Sequence, residues 1–335
     1  MALRLIEFVV PDVHRDVIQE LLKDRETVSI WYDKLDEQQL LTKIVVSMDK
    51  SSPILDMLEK RFSMIPGFRV IILPVEASIP RPKSEEEEPE IVKKPKEKKF
   101  RLLKIGREEL YTDISDTSEL TTIYAVLVII STIVAAIGIL KDNVAVVIGA
   151  MVIAPLLGPS IALSLSTTLG DLDLARKSIR ANAAGILLAL LLSVIIGCFM
   201  TVDTGVSEIQ SRTIVGLDDI GIAIASGSAG AIFFMMGIST ALVGVMLAVA
   251  LLPPLVTLGL LIGSGNIDMA FDTSLLFIAN FICINLAGVV TFYIAGVSPI
   301  SWWEADKAKK STLQATTLWI ILLILLITVL MLAQK

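Results

Sequence analysis

The sequence predicts an α-helical polytopic membrane protein that carries a small α+β domain at its N-terminal end. Three observations lead there. The 335 residues are 54% hydrophobic, against roughly 45–50% for an ordinary soluble domain, and the mean hydropathy is +0.75. The excess is concentrated after Leu120, where apolar runs of spanning length follow one another. Before residue 118 the chain has the alternation and charge of a water-soluble domain.

Residues 1–78 read as βαββαβ. Period-two alternation at Ile6/Phe8/Val10 and Val28/Ile30/Tyr32 marks two strands around a helical stretch with Val13, Val17 and Leu21 on one stripe. A second unit follows: Ile44/Val46/Met48, a helix bearing Ile54, Leu55, Leu58 and Phe62, a Pro66-Gly67 turn, and the strand Phe68/Val70/Ile72. That order is the split βαβ, or ferredoxin-like, arrangement. The fold hosts ligand-sensing, metal-carrying and self-associating modules alike, so it selects no activity by itself. His14, the single histidine, is read as a helix-start residue without a role.

Residues 79–118 are expected to form a charged linker followed by an interfacial helix. The stretch holds an acidic run, Glu85 to Glu88, then lysines from Lys93 to Lys104, among several prolines, a composition that cannot bury a core. Its basic half precedes the membrane, where Lys and Arg favour the cytoplasmic side and anionic headgroups. REELYTDISDTSEL then reads as a short amphipathic helix with Leu110, Ile114 and Tyr111 toward lipid.

Seven spans are expected, at roughly 120–140, 144–169, 181–200, 219–238, 239–263, 275–297 and 315–333. Six of them form two repeats of three, residues 119–213 and 214–300, with residues 301–335 supplying the last span. The repeat is carried by Gly149, Met151, Leu156, Leu157 and Pro159, which return 95 positions later as Gly244, Met246, Leu251, Leu252 and Pro254. In the same register Gly170, Asp173 and Ala175 return as Gly265, Asp268 and Ala270, outside the apolar run. Copies with an odd number of spans insert with opposite topology, as in many secondary transporters. The charges agree: Arg176, Lys177 and Arg180 would face the cytoplasm, and the counterpart loop around Asp272 carries no positive charge. The Lys307/Lys309/Lys310 loop also falls inside. The chain is therefore expected in the cell (inner) membrane, with a cytoplasmic N-terminus, since MALRLIEFVVPDVH lacks a signal-peptide core, and its C-terminus outside.

Candidate substrate-path residues lie where the spans are interrupted. Pro155, Gly158 and Pro159 break the second span, and Pro253 with Pro254 break the fifth at the matching place. Proline frees the carbonyl one turn back, which in lipid must be satisfied by protein, water or solute; such a kink also serves plain packing. Ser226, Gly227 and Ser228 remove bulk from the fourth span, for close helix packing or a hydrated path. Asn182 and Asn285, each before a small pair and Gly, read as equivalents after a short insertion; a span amide bonds a neighbouring helix or a solute. Asp171, Asp173 and Asp268 follow glycines, where a carboxylate caps a helix.

Other classes lack support. A net charge of −6 argues against nucleic acid. The two cysteines, Cys198 and Cys283, sit in apolar segments and read as small hydrophobes. Ionisable groups are nearly absent from span centres, Asp218 and Asp219 lying near one end, which argues against a buried proton relay. No nucleophile elbow, HExxH or Walker loop is present, so no enzyme activity, cofactor or metal is expected.

The segment VVIGAMVIAPLLGPSIALSLSTTLGDLDLARKSIRANAAG, with the preceding GREELYTDISD, resembles a family of archaeal and bacterial membrane proteins, the domain of unknown function 389 family. The resemblance covers roughly residues 104–300 and is most specific at APLLGP and GDLDLA. It implies a hydrophobic membrane protein and supplies no substrate or site residues. The function expected from the residues is a secondary transporter or channel-like carrier of a small solute or ion, homo-oligomeric, with a regulatory or assembling N-terminal domain. The alternative is a membrane-anchored sensor or scaffold whose ferredoxin-like domain binds a ligand or partner.

Overall fold

The computed structural model describes residues 3–75 apart from 24, 26 and 37, residue 78, residues 106–237 apart from 215, residues 250–297, and Thr317, Trp319, Ile321 and Ile324. The expected linker at 79–105, the start of the fifth span with Gly244 and Met246, the Lys307 loop and most of the last span lie outside them. The chain divides into two compact units, residues 1–109 and 110–335.

In the first unit, β1 (Leu3–Pro11), α1 (Arg15–Lys23), β2 (Ser29–Lys34), β3 (Gln39–Ser47), α2 (Met48–Phe62) and β4 (Val70–Val75) follow in the expected order. The sheet order is β2-β3-β1-β4 and every pairing is antiparallel, the topology of a split βαβ unit. Ile6 stands opposite both Ile44 and Ile72. That register puts Ile6, Phe8, Val10, Leu40, Ile44 and Val46 on one face, where Ile18 and Leu22 of α1 and Ile54, Leu55, Leu58 and Phe62 of α2 cover them. The first helix is turned from its expected stripe. Val13 lies in a 3-10 turn before α1 and is exposed, and Ile18 and Leu22 take the core with Val17 and Leu21 beside them. His14 packs its ring edge on Phe62.

The second unit is helical. It contains the C-terminal part of α3 (Arg107–Thr117), then α4 (Thr122–Leu140), α5 (Val144–Ile153), α6 (Leu157–Leu169), α7 (Leu172–Phe199), a short α8 (Ser207–Gln210), α9 (Leu217–Met235), α10 (Leu252–Gly263) and α11 (Ile267–Ile294). Among the described residues four helices, α4, α7, α9 and α11, are long and apolar enough to cross a membrane, and α5 with α6 makes a fifth candidate bent by 54°. On α4, Ile123, Val126, Ile130, Ile133 and Ile137 are exposed at helical spacing, as are Ile179, Leu187, Leu191 and Ile195 on α7. Such apolar stripes face lipid in a membrane protein. Leu110 and Ile114 of α3 are instead fully buried in protein. Two apolar positions among Glu108, Glu109, Asp113 and Asp116 make a stripe too narrow and too acidic for the interface.

Local chemistry sets the ends. Thr121 and Asn143 accept from the amides of Tyr124 and Val146 and so cap α4 and α5. Pro155 holds Ala154 extended, at φ −68° and ψ 121°, which ends α5. Gly170 takes φ 68° between α6 and α7, and Gly265 takes φ 83° between α10 and α11. These bounds recur: α9, α10 and α11 begin 95 positions after α4, α6 and α7, and α4 matches α9, and α7 matches α11, in length. Backbone turns follow, since the positive-φ Asp142 and Gly170 stand 95 positions before the positive-φ Gly237 and Gly265.

The packing crosses between these sets. α7 lies on α10, and α11 lies on α6. A methyl added at Gly288 of α11 would strike Ser164 of α6, and one at Gly259 of α10 would strike Ser193 of α7. Positions 259 and 288 stand 95 after 164 and 193, so the two contacts correspond, with serine and glycine exchanged.

Candidate functional site

The prolines open helices instead of kinking them. Pro159 occupies the first turn of α6, and Pro253 and Pro254 the first turn of α10. There the missing N–H removes a donor that has no intrahelical partner in any case. What remains is the carbonyl one turn before each proline. Ala250 stands four before Pro254, and its carbonyl accepts from Nδ2 of Asn280 on α11 at 2.8 Å. Asn280 therefore replaces the amide that Pro254 lacks. Its Oδ1 is buried without a partner, and the residue is only 5% exposed. Thr257, one turn into α10, is fully buried and likewise keeps Oγ1 unpartnered.

The first break is arranged otherwise. Gly185, 95 positions before Asn280, leaves room for the Tyr124 ring, whose hydroxyl lies where a Cβ would sit and donates to the Ala181 carbonyl at 3.0 Å. α6 is buried along almost its whole length. Its hydroxyls stay satisfied by turning back on their own helix: Thr167 donates to Leu163 at 2.8 Å and Thr168 to Ser164 at 2.9 Å.

The two expected asparagines are held by protein. Asn182 accepts from Ser160 Oγ at 3.0 Å and donates to the Ser178 carbonyl at 3.0 Å. Asn285 donates to the Phe281 carbonyl at 2.8 Å, and its own carbonyl lies 3.1 Å from Ser164 Oγ. Each ties a long helix to α6, as span amides usually do. They are not equivalent positions. α7 and α11 have equal length with no insertion, so in the 95-residue register Asn182 corresponds to Phe277 and Asn285 to Leu190.

The remaining candidates divide. Ser226 and Gly227 are buried and Ser228 half-buried; a Cβ at Gly227 would strike the Ile284 carbonyl oxygen, so this stretch brings α9 against α11. Gly158 performs the same service for Thr117 beside α6. Pro155 is half-buried at the break. Asp171 caps α7, accepting from the amides of Asp173 and Leu174 at 2.9 and 3.0 Å. Its other oxygen accepts from the Tyr111 hydroxyl at 2.7 Å; burial first, and the carboxylate second, push that phenol up to about 12. Asp173 is exposed beside Arg176, and Asp268 is exposed in the first turn of α11. Among the described residues no three His, Cys, Asp or Glu side chains gather as a metal site would require.

Residues 151–286 match the profile of a family described as "Domain of unknown function (DUF389)". An uncharacterized protein of Methanocaldococcus jannaschii, MJ0678, is 39% identical over 325 residues, 97% of either chain. The chain belongs to the DUF389 family. The matched DUF389 region begins beside the break at Pro155 and ends just after Asn285, so it takes in both short helices and Asn280. No solved structure matches the chain. Sequence reasoning passed over Asn280 because no small-residue motif marks it; the signal was the carbonyl that Pro254 leaves open.

Proposed function

We propose that this DUF389 protein is a secondary transporter or channel-like carrier of a small solute or ion, built on two inverted repeats of three spans. The observation that carries the proposal is the pair of short helices α6 and α10, each with proline in its first turn, α6 following the 54° bend after α5. Discontinuous helices at matching repeat positions are the sites at which such carriers hold their cargo. The repeat itself is supported by the recurrence of helix bounds, positive-φ turns and the Ser–Gly contacts at one spacing. In this reading the chain lies in the cell (inner) membrane with the N-terminus cytoplasmic, and a seventh span takes the C-terminus outside.

The test is flux into proteoliposomes across a panel of ions, sugars, amino acids and organic acids. It is joined to single cysteines at Ser160 and Ser164 probed from either side with membrane-impermeant thiol reagents. Flux above protein-free vesicles with thiols reached from one side at a time is the expected result. A bundle that passes nothing, with both thiols sealed, would sink the proposal.

One observation favours the sensor or scaffold reading. The sheet face away from α1 and α2 leaves Trp31, Ile71 and Leu73 exposed around Lys43, which bridges Glu7 and Asp33. In a carrier the same face serves regulation or homo-oligomeric assembly.

A further inference from the structure

The side chain left over at the start of α10 narrows the cargo, granted the carrier reading above. Gly259 lies on Leu190 and Ser193, and Gly263 on Val194 and Cys198, so α10 and α7 advance together. α6 turns back into α7 through Gly170 and Asp171, and α10 turns back into α11 through Ser264 to Asn266. It follows that α6 and α11 run in the same direction. Along α11, Asn280 marks the start of α10, and Asn285 and Gly288 mark Ser164 of α6. That separation is roughly 8–12 Å at 1.5 Å per residue, and Ser164 lies about 10 Å beyond Leu157 on the same count. The first turns of α6 and α10 therefore share one level of the bundle, the level of Asn280.

A helix start carries about half an elementary positive charge on its unpaired N–H groups; α6 presents such a start at this level, and α10, whose Pro253 and Pro254 lack N–H, adds a weaker one, so a single negative charge is favoured beside them. First-turn amides of α6 at Leu157 and Gly158 add donors for it. The Asn280 Oδ1 oxygen is buried, accepts only, and has no partner. It would repel a bare anion and bond one that carries its own hydroxyl. Asn280 cannot simply turn over, because Nδ2 is committed to the Ala250 carbonyl.

We infer that the level of Asn280 binds a small monovalent oxyanion bearing an O–H group, its charge on the helix starts and its hydroxyl donating to Asn280 Oδ1. Bicarbonate and nitrate make a matched pair of probes, both planar and singly charged, with only the first able to donate. Equilibrium binding of each to the full chain in detergent is measured by titration calorimetry in sealed, carbon dioxide-equilibrated buffer. Bicarbonate should bind at least about ten-fold more tightly than nitrate, the worth of one hydrogen bond to a charged partner. Asn280→Leu should bring that ratio to about one. Asn280→Ser keeps a donor for Ala250 and loses the amide oxygen; it should do the same if the leucine variant does not fold. Equal binding of the two anions, a ratio unmoved by either substitution, or binding of sodium or potassium in place of both would overturn the inference. Flux of the same anions separates the two proposals. Asn280-dependent binding without flux retains the site and rejects the carrier, whereas flux indifferent to Asn280 retains the carrier and rejects the site.

Discussion

Asn182, Asn280 and Asn285 are three amides in apolar helices, and only their hydrogen bonds tell them apart. Two are consumed by serines and backbone of neighbouring turns, which the spacing alone could not reveal. Glycine works the same way: Gly197 admits the Leu260 backbone, whose carbonyl oxygen an added Cβ would strike. Gly197→Ala should cost about 1–3 kcal/mol of overpacking, read as a lower unfolding midpoint in detergent, whereas Gly149→Ala, with open space at its Cβ, should not lower it. At Tyr111 burial, and after it the bond to Asp171, makes a pH prediction. The folded phenol titrates near 12 and the unfolded one near 10, so the folded state holds the proton more tightly. The stabilisation is whole below pH 10 and is lost as the pH rises toward 12. Absorbance titration should reveal a late tyrosinate step that Tyr111→Phe removes; loss of a step near the ordinary value of 10 instead would contradict the buried, bonded phenol.

Among elements, those of the N-terminal domain were legible because period-two alternation and a Pro-Gly turn are local signals, and Ile6, Phe8, Ile44 and Phe62 all reach the core they announce. Helix ends in the membrane region were less so. α7 begins at Leu172, nine positions before its expected start, because Arg176, Lys177 and Arg180 are good helix formers that continue the helix beyond the apolar stretch. Asp171 fixes that start, and Asp171→Ala should cost about 1 kcal/mol, with Asp171→Asn recovering most of it in the same thermal assay. The short helices are the converse case. Their prolines were visible, but whether proline kinks or begins a helix depends on the turn before it. At Ala154 that turn is extended. Pro155→Ala should restore an amide donor at the junction and ease the 54° bend, read as a changed spin-label distance between the ends of α5 and α6.

For the whole molecule, inverted repeats require the Arg176–Arg180 loop and the Asp272 region to emerge on opposite sides. Single cysteines at Lys177 and Asp272 should label from opposite faces of intact cells and inverted vesicles; labelling from one face would exclude the arrangement. The 95-residue spacing itself was readable, since Gly170, Asp173 and Ala175 return as Gly265, Asp268 and Ala270, and the helix bounds recur at that spacing. The unreadable part was the choice of partners, α7 against α10 and α11 against α6, because contacts between distant segments leave no trace in either segment alone. The serine–glycine contacts carry that point into descent. Ser164 meets Gly288, and Gly259 meets Ser193, so at neither pair of corresponding positions is the residue type kept, while the fit between the helices is kept at both. If one gene fragment was copied, the room for a hydroxymethyl group was inherited and the side that supplies it was free to drift. Comparing the two halves residue by residue then scores two mismatches at contacts that the fold has preserved. Ser164→Gly joined to Gly288→Ser would retrace such a step, and should fold more stably than Gly288→Ser alone.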